Sequence, residues 1–135
     1  MENVVDLDIL KPESRKIRLN GMLFDISFVP CGITFEIDRI IQQLASIPDD
    51  ELRKGKEATK NAFDLTLELC VSFASFKHPE LSMEWFRDNV SAAQIQVFAE
   101  SIKSALLDSY KGLEQYGKNW MGIKVMEKFT LVPYS

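Results

Sequence analysis

Between residues 57 and 76 the chain reads EATKNAFDLTLELCVSFASF. Ala58, Ala62, Leu65, Leu69, Phe73 and Phe76 recur there at steps of three and four, with Phe63, Leu67, Cys70 and Ala74 as a second stripe beside them. Two adjoining stripes make an apolar face wider than one surface seam, so the spacing predicts a central helix covered on most of its sides. Asp64 and Glu68 interrupt it too often for a membrane span. A second main helix is predicted from Ala92 to about Gly112. Ile95, Phe98, Ile102, Ala105, Leu106 and Leu113 lie on one of its faces, while Glu100, Lys103 and Asp108 lie away from it. Ser91-Ala92-Ala93-Gln94 opens it with a capping-box pattern, in which Ser and Gln each satisfy the other's end of the backbone.

The period changes near the N-terminus. Lys16-Ile17-Arg18-Leu19 alternates polar and apolar, as a half-buried strand does, and residues 22–29 alternate Leu23 or Phe24, Ile26 and Phe28. Asn20-Gly21 between them best accepts the positive φ angles of a tight type I′ turn, so a β-hairpin is predicted. A lone hairpin is marginal in water. It must therefore pack on the helices or pair with another strand, in this chain or in a second copy. Its exposed edge makes Ile17, Leu19, Phe24, Ile26 and Phe28 the candidates for self-association. Residues 1–14, mixed and acidic with Pro12 breaking any helix, form a loose arm. That arm either frays or docks on a neighbour through Val4, Val5, Leu7, Ile9 and Leu10.

Between hairpin and central helix, Thr34 is placed to cap a helix over residues 35–47. Glu36 and Asp38 lie in its first turn, and Ile37, Ile40, Ile41 and Leu44 on its apolar face. Pro48 ends it, and residues 50–54 read as the solvated first turn of a new helix. Ser82 is a plausible cap for a two-turn helix carrying Trp85 and Phe86, which either pack on the bundle or anchor a partner. Residues 118–135 hold Trp120, Met121, Val125, Met126, Phe129, Leu131, Val132 and Tyr134, much apolar surface for a tail. The tail either folds back or serves a partner, with Trp120 and Phe129 as the contact candidates. The expected fold is mainly α with a small N-terminal β-hairpin (α+β), a bundle of about four helices. Residues 1–14 are the arm, 15–117 the single domain and 118–135 the tail.

Composition narrows the function by exclusion. The 135 residues suit one domain, and the net charge of −4 without a long basic run argues against a surface that tracks nucleic-acid phosphates. No secretion signal is visible, so Cys31 and Cys70 are expected as reduced thiols, and a cytoplasmic location follows as the default. His78, the single histidine, stands before Pro79 with no nucleophile pattern around it. One histidine and two separated cysteines give no zinc spacing, Gly55-Lys56-Glu57 is no phosphate loop, and the acidic residues 49–51 lack a calcium loop's ligand spacing. No catalytic, cofactor-binding or metal-binding residues are therefore assigned, and no enzyme activity is expected.

The order of parts is informative. The hairpin KIRLNGMLFDISF is followed by an acidic-starting helix, a long central helix, the insert LSMEWFRDNVS and a final long helix. This arrangement, over residues 15–117, resembles the tail assembly chaperones of long-tailed bacteriophages and prophages, a diverse family without an invariant catalytic signature. The resemblance implies a self-associating, non-catalytic protein of the host cytoplasm. It would coat the long helical tape measure protein and keep it soluble until tail tube subunits polymerise around it. It also implies a second, frameshifted product, and Gly117-Lys118-Asn119 is a tripeptide that a slippery heptamer could encode. The competing reading is a small cytoplasmic helical adaptor or regulatory protein with no phage link.

Overall fold

The computed structural model describes residues 4–10, 13–50 and 55–117. A short 3-10 turn, Leu7–Leu10, precedes the hairpin strands β1, Lys16–Leu19, and β2, Met22–Asp25. Helices α1, Thr34–Ala45, α2, Lys56–Lys77, α3, Met83–Asn89, and α4, Ala92–Gly117, follow. Among the described residues the architecture is thus mainly α, four helices with an N-terminal two-stranded antiparallel hairpin. No helix among them is long and apolar enough to cross a membrane.

Asn20 and Gly21 take φ values of 50° and 82°, the paired left-handed geometry that the sequence predicts for the turn. Lys16 then stands opposite Asp25 and Leu19 opposite Met22. β2 ends at Asp25, short of the expected Val29. The Asp25 carboxylate accepts hydrogen bonds from the Ser27 N–H at 2.9 Å and the Ser27 hydroxyl at 2.5 Å, and this local turn bends the chain out of the ladder. One further rung survives, from the Ile26 N–H to the Arg15 carbonyl at 2.8 Å.

α2 is the centre of the bundle and packs against α1, α3 and α4. From residue 62 to 75 none of its residues is exposed, as its double stripe requires. Phe76, the last member of the first stripe, departs from the expected core face and is 46% exposed, its ring lying against Gly32 of the loop before α1. Ile37, Ile40 and Ile41 of α1 and Ile95, Phe98, Ile102, Ala105 and Leu106 of α4 enter the core as expected. The Leu113 side chain lies outside the described residues.

The three capping expectations divide. The Trp85 N–H donates to Ser82 Oγ at 3.1 Å, and the Ser91–Gln94 box closes in both directions at 2.9 and 3.2 Å. Thr34, by contrast, is the first residue of α1 rather than its cap. Its hydroxyl donates to the Pro30 carbonyl at 3.0 Å, and Ile33 occupies the cap position with no side-chain bond. Asp38, expected beside Glu36 as a first-turn carboxylate, lies beyond that turn and is buried. Arg39 ties α1 to α2 by gripping Glu36 at 2.6 Å and Glu68 at 2.8 Å. Most of the turn expected over residues 50–54 lies outside the described residues.

Candidate interaction surfaces

The first surface lies between β2 and the C-terminal end of α2. Leu23, Phe28, Pro30 and Phe76 surround a cavity of about 190 Å³ floored by Phe73 and Ala74. Pleating explains half of this geometry. Phe24 points into the core at 4% exposure, so its neighbour Leu23 points out at 56%. Gly32 explains the other half, because a Cβ on it would come within 3.1 Å of Cζ of the Phe76 ring. The ring therefore lies across the loop backbone instead of being pushed off it. Asp25, Lys77 and His78 supply a polar rim. The Asp25 carboxyl is held below the usual aspartate range, first by the Ser27 hydroxyl, then by the Ser27 N–H, with Lys77 and Lys16 adding smaller attractions.

The second surface is a pair of adjoining grooves between β1 and the first half of α4. Arg15, Lys16 and Ile17 face Val97, Glu100 and Ser104 in one; Leu19 faces Ala93 and Phe98 in the other. The described residues form a two-stranded sheet, so β1 is an outer strand. The rung from Ile26 to Arg15 fixes the alternation of the ladder. Arg15, Ile17 and Leu19 turn their backbone groups toward β2, whereas Lys16 and Arg18 turn theirs toward the free edge. A strand laid on that edge would find two N–H donors, two carbonyls and two exposed cationic side chains.

A third groove runs between α1, α2 and α4. Ile41, Leu44, Ala45, Ala62, Leu106 and Leu107 line it, with Lys103 at its rim. It exists because Ala45 and Ala62 are too small to close the space between three helices.

The sequence-derived contact residues are distributed unevenly over these surfaces. Leu19, Phe24 and Ile26 are buried in the chain's own core, so their side chains are already packed and only the strand backbone beside them is offered to a neighbour. Ile17 and Phe28 are half-buried and border the second and first surfaces. Phe86 is wholly buried, packed edge-on against Trp85 and tilted toward Phe98, which removes it as an anchor for a partner; Trp85 is half-buried. Trp120 and Phe129 lie outside the described residues. Leu23, Phe76 and Val97 are not among the sequence-derived contact residues: Leu23 stands beside Phe24 as the alternative inward position, Phe76 belongs to the central stripe, and Val97 lies outside the α4 stripe.

The reactive side chains are dispersed. Cys31 is exposed, whereas burial pushes the Cys70 thiol up to about 12. His78 closes α2, packs edge-on against Phe24 at 5.5 Å and has Glu80 3.6 Å from its Nδ1. Among the described residues no group of three or more His, Cys, Asp or Glu side chains is placed to hold a metal ion. No protein-family model, curated protein or solved structure matches this chain at a significant level.

Proposed function

We propose that this protein is a non-catalytic tail assembly chaperone that binds the tape measure protein of a long-tailed phage or prophage, and that associates with copies of itself. The observation that carries the reading is the first surface, where Leu23 and Phe76 stand exposed around one apolar cavity with a polar rim. An amphipathic helix buries its apolar stripe in a groove of this kind, by single side chains spaced three and four residues apart. A tape measure helix carries such stripes along its length, and covering them reversibly keeps it soluble. The order of hairpin, helices and insert, from which the family resemblance was drawn, supports the same reading.

The test is co-expression with the tape measure protein of a long-tailed phage, taken from the same genome as this chain, scoring how much of that protein stays in the soluble fraction. The expected result is solubility that depends on this chain and falls several-fold with Leu23→Asp plus Phe76→Asp. Leu23 is 56% and Phe76 46% exposed, and an unchanged helical circular dichroism signal confirms that the doubly substituted protein is folded. Unchanged solubility with and without the chain would overturn the reading. An adaptor without a phage link would instead leave that long protein insoluble while retaining the same fold.

A further inference from the structure

We infer that the N-terminal arm of one copy adds as a strand to the free edge of β1 in a second copy. This deepens the self-association in the proposed function and does not depend on the tape measure partner. Residues 5–9 read Val-Asp-Leu-Asp-Ile, a strict alternation of apolar and acidic positions. Val4, Val5 and Leu7 are left 79%, 64% and 66% exposed in the single chain. The β1 edge has the complementary alternation, with Lys16 and Arg18 exposed and Ile17 and Leu19 on the inward face.

Laid antiparallel, the arm matches this edge residue by residue. Asp6 comes opposite Arg18 and Asp8 opposite Lys16, the two positions whose backbone groups face outward, so both become hydrogen-bonded pairs. Leu7 then covers Ile17 and Val5 covers Leu19, above the groove where Val97 is 67% exposed. Opposite charges across a ladder stabilise it and like charges destabilise it. The edge therefore disfavours pairing with a second β1: a register that keeps apolar residues on one face sets Arg18 against Arg18, or Lys16 against Arg18. The arm of the same chain is directed elsewhere. Its 3-10 turn packs on α4, and Arg15 is tied to Asp108 at 2.8 Å where the arm joins the hairpin. Releasing that turn disturbs little structure, since it is four residues long.

The test uses charge exchange in the full chain, followed by sedimentation velocity over a range of concentrations. Wild-type protein is expected to show concentration-dependent species larger than one chain. Asp6→Lys with Asp8→Lys, and separately Lys16→Glu with Arg18→Glu, should each sediment as a single chain, because arm and edge then repel. Mixing the two variants should restore the larger species, since each arm now meets an edge of opposite sign on the other protein. All four positions are on the surface, and an unchanged helical circular dichroism signal confirms folding. The inference is overturned if wild type stays a single chain at every concentration, if either variant alone keeps the wild-type distribution, or if the mixture stays dissociated.

Discussion

The rings of Phe24 and Phe98 lie with centroids 5.5 Å apart, tilted by 48°, and join the hairpin to the last helix of the bundle. Phe98 also meets Phe73 edge-on at 5.9 Å, so β2, α2 and α4 converge on one aromatic cluster. This is how a two-stranded hairpin, unstable alone, becomes part of the core. Phe24→Ala should destabilise the protein by about 3–5 kcal/mol, the usual range for removing a buried ring. Leu23→Ala, one residue away and facing out, should change stability by no more than about 0.5 kcal/mol. Urea denaturation of the two variants checks the contrast, and equal losses would mean that the hairpin does not dock through Phe24.

The capping box at Ser91 and Gln94 joins two exposed side chains to the backbone at the start of α4. No packing is lost with either side chain, so substitution isolates the cap. Ser91→Ala should cost about 0.5–2 kcal/mol, and Ser91→Asp should retain most of that, because a carboxylate also accepts from the freed N–H groups and favours the helix dipole. Equal loss in both variants, measured by denaturant midpoint, would contradict the assignment.

Acid should weaken the hairpin through Asp25. Its carboxyl is held below its ordinary value of 3.8, chiefly by the hydroxyl and then the N–H of Ser27. A group depressed in the folded state contributes stability that is fully present above its unfolded value and is lost as pH falls through the folded one. Glu36, lowered by its bond to Arg39, acts in the same direction. Stability should therefore be flat near neutrality and decline below about pH 4, and Asp25→Asn should show a shallower decline. The comparison is urea midpoint against pH for the two proteins.

The two thiols should react at very different rates. Cys31 is exposed in the loop before α1, whereas Cys70 is wholly buried against Ile95, with burial holding its thiol protonated. The thiolate is the nucleophile, so burial suppresses attack twice, by access and by ionisation. At pH 8 a thiol reagent should modify one cysteine quickly in the native protein and the second only on unfolding, and Cys31→Ser should abolish the fast phase. Fast labelling of both would show that the region of α2 around Cys70 opens readily.

Local patterns carried much of this fold. Asn20-Gly21 fixed the hairpin turn because few other pairs accept two left-handed residues, and the Ser91–Gln94 spacing fixed the start of α4 because the cap closes within four residues. Thr34 failed as a cap for the converse reason. Its competing acceptor, the Pro30 carbonyl, becomes available only once the preceding loop has turned. Phe86 and Trp85 were adjacent aromatics with equal claims to the surface, and only the packing of α3 against α2 sent the first inward and left the second at the margin.

What the sequence determined by itself was the set of elements and the faces that must be covered, because period and turn chemistry act over a few residues. Which members of an apolar stripe stayed exposed was decided by tertiary structure. Phe76 continues the stripe of buried Leu69 and Phe73 yet is 46% exposed, whereas Leu23 and Val97 lie off the inward-facing positions of β2 and α4. Whether an off-face apolar residue is covered by another element, or left bare as these two are, depends on how long helices of fixed rise meet a short twisted hairpin in space.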